Sequence, residues 1–409
     1  MFAQIHGSQK FPLCVCKGIC TRLIFGRILM KLINQMDHSW PSLVSLKNAS
    51  QTRDRPSKGK FRDYSIKAFN AVQMAGFEAY IHGLEIPDLA LKTVLDKTLD
   101  IVQSRYPHLF VTYDWLLQES KHLAEGSKEL MAIQYDLPTR LFQRMLTESQ
   151  EIYPKYTMAL WENGADSLQE AQRQMLDDVF EKIGIEDGDT VLDLGCGWGA
   201  SSNYLLQKFP HAQVTGLNLS HEQCNYMRDK MADPTSTLSS GRFTLCEQDF
   251  NQANFDQRFD KIIAIGLFEH VGNLTKSFEQ LASFLTDNGK VFLHFISSRL
   301  PHNTYSPYLN RYIFPNMRIW SYEAVPQHNQ HLKTLDQWYL RGHNYAQTLQ
   351  CWLQNFDQHQ EEIRTLELGM NYARFRRIWR LYLILCIAYF NMDRGNLLGN
   401  AQYLLGHAD

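Results

Sequence analysis

The clearest chemical signal in the chain is the run Asp193-Leu194-Gly195-Cys196-Gly197-Trp198-Gly199. Glycines at alternate positions let a backbone turn tightly and approach a ligand with no Cβ in the way. The run follows a short apolar stretch, TVLDL, and precedes a helical one. A helix N-terminus with its positive partial charge would therefore back the turn. The spacing GxGxG is not the dinucleotide GxGxxG, and no Walker GxxxxGKS/T occurs. A ligand without a pyrophosphate is expected. A second pair, Glu269-His270, lies in FEHVG after another apolar run. The bland reading of that pair is a helix cap and a satisfied imidazole.

These residues need a scaffold, and the pattern around them supplies one. LQEAQRQMLDDVFEKIGI, from residue 168, reads as an amphipathic helix ending in the turn EDGD. Strands are expected at 190–194, 212–217, 242–246, 260–266 and 290–295. Helices are expected between them near 199–208, from Ser220 with the capping-box form Ser220-x-x-Gln223, and at 274–286. Strand–helix alternation predicts an α/β fold with a doubly wound, mostly parallel sheet, and ligands of such sheets bind at the carboxyl ends of the strands. Upstream, Leu89, Leu91, Val94, Leu95, Leu99 and Val102 keep helical spacing. The division expected is an extension at 1–60, a helical N-terminal lobe at 61–165, and the domain carrying the site at 166–409. Within that domain 300–360 reads as a lid or insertion, and helix returns at 361–390.

Bulk properties exclude several classes. The chain has 409 residues, 44% apolar and 21% charged, with a formal net charge of −2. That composition is globular, and no basic field is present to hold nucleic acid. The eight cysteines are too sparse for a disulfide framework. Cys14, Cys16 and Cys20 lack a matching His/Cys cluster, so no metal site is expected. No apolar run reaches the roughly 18–20 residues that span a bilayer. LYLILCIAYF at 381–390 reads as a buried helix. Residues 1–36 carry five Lys or Arg and no acid. They read as an extension first and as a targeting or membrane-surface segment second, with a cytoplasmic setting expected for the rest.

The acidic strand end followed by GxGxG resembles the first motif of class I S-adenosylmethionine (AdoMet) methyltransferases. The resemblance implies a Rossmann-like seven-stranded sheet. It places Asp193 behind the loop and Gly195 and Gly197 at the methionine part of the cofactor. Asn218 and Gln223 would meet the ribose and Asp249 the adenine amino group, although Asp249 also reads as a helix cap. Tyr156, Phe250, Ile265 and His270 complete the implied cofactor set.

Further motifs narrow the class. FEHVG, NYAQTL at 344–349, YDLP at 135–138, LQEAQ at 168–172 and YIFPN at 312–316 occur in order. The chain over about 130–400 is similar to the cyclopropane-fatty-acid synthase family, which includes mycolic-acid methyltransferases and plant coclaurine-type N-methyltransferases. On the synthase side the resemblance implies a bicarbonate base held by Glu269, His294, Tyr345 and a cysteine two residues after Tyr156. Met158 stands at that cysteine's place. On the amine side it implies Glu269 anchoring an ammonium and His270 taking its proton. Amine enzymes often carry another Glu where Gly266 stands. The features around QMLDDVFEKIGIEDGDTVLDLGCG and YAQTLQCWLQNFD favour the amine side. N-methylation of a small-molecule amine is thus expected. Methylenation of an unsaturated acyl chain and non-catalytic AdoMet binding are the alternatives. Peripheral membrane contact and a homodimer are compatible with either enzyme.

Overall fold

The computed structural model describes residues 58–105, 120, 123, 135–147, 153–299, 306–315 and 317–408. The basic segment 1–36, the three clustered cysteines, the rest of the expected extension up to residue 57 and parts of the expected lobe lie outside the described residues. Two long helices open the described chain, α1 (Lys58–Ile81) and α2 (Asp88–Arg105). In α2 the predicted apolar stripe buries Leu91, Leu95, Leu99 and Val102, while Leu89 is exposed. Helix α3 (Thr139–Leu146) follows, then an extended segment from Tyr153 to Leu160.

The sheet begins after α4 (Leu168–Ile183). Ser167 caps this helix, accepting from Glu170 N, and Gly184 ends it in a left-handed turn. The strands are β1 (Thr190–Leu194), β2 (Gln213–Asn218), β3 (Phe243–Glu247), β4 (Phe259–Ile265), β5 (Leu285–Ser298), β6 (Trp320–Ser321), β7 (Leu332–Arg341) and β8 (Leu398–His407). Helices α5 (Ala200–Lys208), α6 (His221–Ala232) and α7 (Leu274–Phe284) make the crossovers. The order β3-β2-β1-β4-β5-β8-β7 gives the seven-stranded path expected, and the two-residue β6 pairs with β5 off it. The pairs from β3 to β5 are parallel, whereas β8 runs antiparallel to β5 and to β7.

Side chains alternate across this sheet as a pleat requires. Val191, Ile263 and Phe292 pack on Met175, Val179 and Phe180 of α4. Leu192, Ile262 and Leu293 pack on Phe278 and Leu281 of α7.

Residues 300–360, expected as a lid or insertion, divide between the sheet and a helical cap. Residues 332–341 become an edge strand of the sheet, and α8 (Pro307–Tyr312) and α9 (His343–Gln358) join a helical cap. The short α10 (Gln360–Ile363) leads to α11 (Tyr372–Phe390), which holds the expected buried run. The cap is one core, in which Phe77, Leu95 and Phe142 of the N-terminal helices pack with Leu349, Trp379 and Leu383. Buried Arg380 of α11 pairs with Asp88 of α2 and Asp357 of α9, tying the two halves of the cap together. No helix among the described residues is long and apolar enough to cross a membrane.

Candidate active site

The strand ends and the cap enclose a cleft of about 1130 Å³, counting its space open to solvent. The glycine run forms its floor. Gly195 N and Cys196 N both donate to Leu217 O (2.8 and 3.1 Å), which turns the chain back over the end of β2. Gly197 has φ +57° and faces open space where a Cβ would point. A side chain there would be strained and would enter the cleft.

Every residue in the implied cofactor set lines this one cleft: Tyr156, Asp193, Gly195, Gly197, Asn218, Gln223, Asp249, Phe250, Ile265 and His270. Asp193 is 2% exposed and accepts from Ser202 Oγ (2.6 Å). Burial pushes its pKa up to about 6. Asn218 donates through Nδ2 to Gly197 O (3.1 Å) and Gln223 Oε1 (2.9 Å), binding the loop to α6. The capping box is half formed: Ser220 accepts from Gln223 N, while the Gln223 side chain is turned to Asn218. Asp249 caps the short turn Phe250–Gln252, accepting from Asn251 N (2.9 Å). Both readings of Asp249 therefore coexist, a cap and a wall of the cleft.

A smaller chamber of about 350 Å³ shares Tyr135, Tyr156, Thr157, Gly266 and His270 with the cleft. Glu269 and Tyr345 line it too. Glu269 sits in the turn Phe268–His270, one residue after β4 and Gly266 have delivered the chain to the sheet edge. Its Oε1 accepts from Ile296 N of β5 (2.8 Å). Its Oε2 has no partner among the described residues. Burial raises the Glu269 pKa to about 7. His270 Nε2 lies 3.1 Å from the Tyr135 hydroxyl, and burial lowers its pKa to about 4. Burial thus disfavours the charged form of both groups, the carboxylate of Glu269 and the imidazolium of His270.

Beyond the chamber lies an apolar annex of about 720 Å³. Ile296, Phe314, Met317, Tyr345 and Tyr382 line both spaces. Tyr345 is stacked on Phe390 (ring centroids 4.4 Å apart), and Tyr382 accepts from the Tyr156 hydroxyl (3.0 Å).

His294 is not brought to these spaces. It is fully buried on the α4 side of the sheet, where it meets Asn400 (3.1 Å) and Gln402 (3.3 Å) of β8. Strand alternation explains this: its neighbour Phe292, two residues back, faces α4 as well. Met158 is also fully buried and lines none of the three spaces, and its carbonyl accepts from Lys155. Among the described residues no cluster of His, Cys, Asp and Glu could hold a metal ion.

Sequence reasoning missed Lys155, Thr157, Phe314, Met317 and Tyr382 as site residues, and used Tyr135 only as part of YDLP. Tyr135 and Phe314 lie inside runs that carried the family resemblance, which was the available signal. Tyr382 lies within an apolar helix and carried none.

Comparison with known proteins agrees with this geometry. The family model described as mycolic acid cyclopropane synthetase matches residues 123–399. The cyclopropane-fatty-acyl-phospholipid synthase of Escherichia coli K12 is 33% identical over 259 residues, covering 63% of this chain and 63% of the synthase. The (S)-coclaurine N-methyltransferase of Papaver somniferum is 26% identical over 265 residues, covering 62% of this chain and 73% of that enzyme. A crystal structure of coclaurine N-methyltransferase bound to N-methylheliamine and SAH superposes with a TM-score of 0.70 at 20% identity. It covers 81% of this chain and 99% of that one, and shows the fold.

Proposed function

The chain belongs to the mycolic acid cyclopropane synthetase family, and from that premise we propose that it is an AdoMet-dependent methyltransferase acting on a small-molecule amine with an apolar body. The residues of the cleft fit the cofactor. Gly197 leaves room beside the backbone, and Asn218, bonded to Gly197 O and to Gln223, fixes the loop and the Gln223 side chain at the end of β2. When bound there, AdoMet supplies an electrophilic methyl group.

One observation carries the acceptor class. Glu269, which has an unpartnered carboxylate oxygen, lines a chamber walled by aromatic rings and, among the described residues, by no Lys or Arg. Such a space attracts a cation through the carboxylate and through the faces of Tyr135, Tyr156 and Phe314. An alkylammonium entering it must lose a proton before its nitrogen can attack. Glu269, with its pKa near 7, is the acceptor for that proton. Neutral His270, held by Tyr135, closes the side shared with the cleft. The annex would take the acceptor's apolar body.

A second reading, methylenation of an unsaturated acyl chain, is favoured by the same annex and by the likeness to the E. coli synthase. The deciding experiment presents labelled AdoMet with lipophilic amines and unsaturated phospholipids, side by side, in bicarbonate-free buffer. N-methylated product is expected. Turnover on phospholipid alone, restored by bicarbonate, would replace the amine by the acyl chain. AdoMet binding with no turnover on either panel would leave a non-catalytic AdoMet-binding protein.

A further inference from the structure

Lys155 lines the donor cleft yet is only 5% exposed. It lies on the extended segment that runs between the cleft and α9. That segment is held by Ala159 N donating to Thr348 Oγ1 (3.1 Å) and Trp161 N donating to Asn344 Oδ1 (2.9 Å). The Lys155 ammonium is turned back on its own chain, donating to Thr157 Oγ1 (2.7 Å) and Met158 O (2.6 Å). Both acceptors are neutral. No ion pair joins it to a carboxylate of the described residues; the titratable groups near it are buried His294, whose pKa it helps burial to lower, and, in the same cleft, Asp193, which Ser202 engages. A buried charge that is hydrogen-bonded but electrically uncompensated is costly. Burial accordingly lowers the Lys155 pKa to about 7. What the site lacks is an anion, and the ligand proposed for this cleft carries one: sulfonium and ammonium are positive, and only the α-carboxylate is negative.

We propose that Lys155 is a cofactor-binding residue whose ammonium is the counter-charge for the α-carboxylate of AdoMet. The proposal rests on the methyltransferase reading and adds a residue that neither the glycine motif nor the family motifs marked. Lys155 would still clamp Thr157 and Met158 through its hydrogen bonds, with the ligand's carboxylate completing the charge balance.

Direct binding measurements separate a charge partner from a mere clamp. S-adenosylhomocysteine and its decarboxylated counterpart are titrated into the full-length protein by calorimetry. The variants are Lys155→Gln, which keeps donors for Thr157 and Met158 but removes the charge, and Lys155→Arg, which keeps the charge. Lys155→Gln is expected to weaken S-adenosylhomocysteine at least 10-fold and to leave the decarboxylated ligand within 2-fold of wild type. Lys155→Arg should restore most of the loss. Equal weakening of both ligands, or of neither, would overturn the proposal and assign Lys155 a structural role. Should Lys155→Gln fail to fold, wild type decides alone. Its preference for the carboxylate-bearing ligand must shrink from pH 6.5 to pH 8, as free Lys155 loses its proton, and a constant preference would overturn the assignment. If wild type binds neither ligand, the methyltransferase reading itself fails, an outcome distinct from these.

Discussion

Thr157 and Gly266 share one space. A Cβ built on Gly266 would lie 2.4 Å from Thr157 Cγ2, and Gly266 has φ +73°. Both residues line the cleft and the chamber, so their contact forms part of the wall where the two meet. A larger residue at 266, as some amine enzymes carry, cannot enter while Thr157 keeps its methyl in that position. Gly266→Ala is therefore expected to strain the turn by about 1–3 kcal/mol and to lower kcat/KM by at least 10-fold. Adding Thr157→Ser should recover part of the activity, because the clashing methyl is removed and Oγ1 is kept for Lys155, while the positive φ remains. Equal kinetics for the single and double variants would show that the contact does not matter.

Glu269 gives a pH dependence with opposite signs for activity and stability. In its proposed role as proton acceptor it must be ionised, so kcat is expected to rise with pH through about 7. Glu269→Gln should remove that limb and cost 10²-fold or more. For stability, the folded pKa stands above the usual carboxylate value, so the fold favours the protonated form. That contribution is complete below about 4.5 and is lost as pH rises through about 7. Glu269→Gln escapes the loss. Its Tm at pH 8 should exceed that of wild type, by a margin worth at most about 3 kcal/mol. A variant both inactive and less stable at pH 8 would contradict this account.

His270 behaves in the reverse sense. Its folded pKa of about 4 lies below the 6.5 of a free imidazole, so the fold favours the neutral ring. Stability is complete above about 6.5 and drains away as pH falls toward 4, where the unfolded chain binds the proton first. His270→Gln removes one group from that acid limb and should flatten thermal melts recorded between pH 6.5 and 4. It should leave the activity limb near 7 in place, because that limb belongs to Glu269. Loss of the limb in this variant would return the base role to His270.

How the chain discloses this site depends on which residues are read locally. Gly195, Gly197, Asn218 and Asp249 are legible because strand ends and turns have local signatures, and a parallel sheet brings those ends to one edge. Glu269 was legible for the same reason, sitting just past β4. His294 was misjudged because its place depends on strand alternation and on β8, and β8 had no clear local signal. LGNAQYLLGH carries two glycines and a mixed apolar pattern, yet it is buried along most of its length between β5 and β7. The chamber walls contributed by Phe314, Met317 and Tyr382 come from segments that meet only through tertiary packing of the cap. The pKa values of Glu269 and His270 follow from burial created by that same packing, so their roles could not be assigned from sequence order.

Leu349 tests whether the annex reads the acceptor's body. It is 1% exposed on α9 and lines the annex but neither the cleft nor the chamber. Leu349→Trp would project an indole into that space and remove room for apolar atoms. Each methylene denied burial forfeits about 0.8 kcal/mol, so an amine whose tail is shortened in place by two carbons should lose roughly 10-fold in kcat/KM. Short amines, which leave the annex empty, should be turned over as before, and the Kd for S-adenosylhomocysteine should not move. The ratio of kcat/KM for long and short amines is then the quantity to follow. A uniform fall for both would point to overpacking of the cap, which commonly costs about 1–3 kcal/mol, and thermal melts would register it. An unchanged ratio in a well-folded variant would mean that the acceptor's apolar body lies elsewhere, and that the annex does not select the substrate.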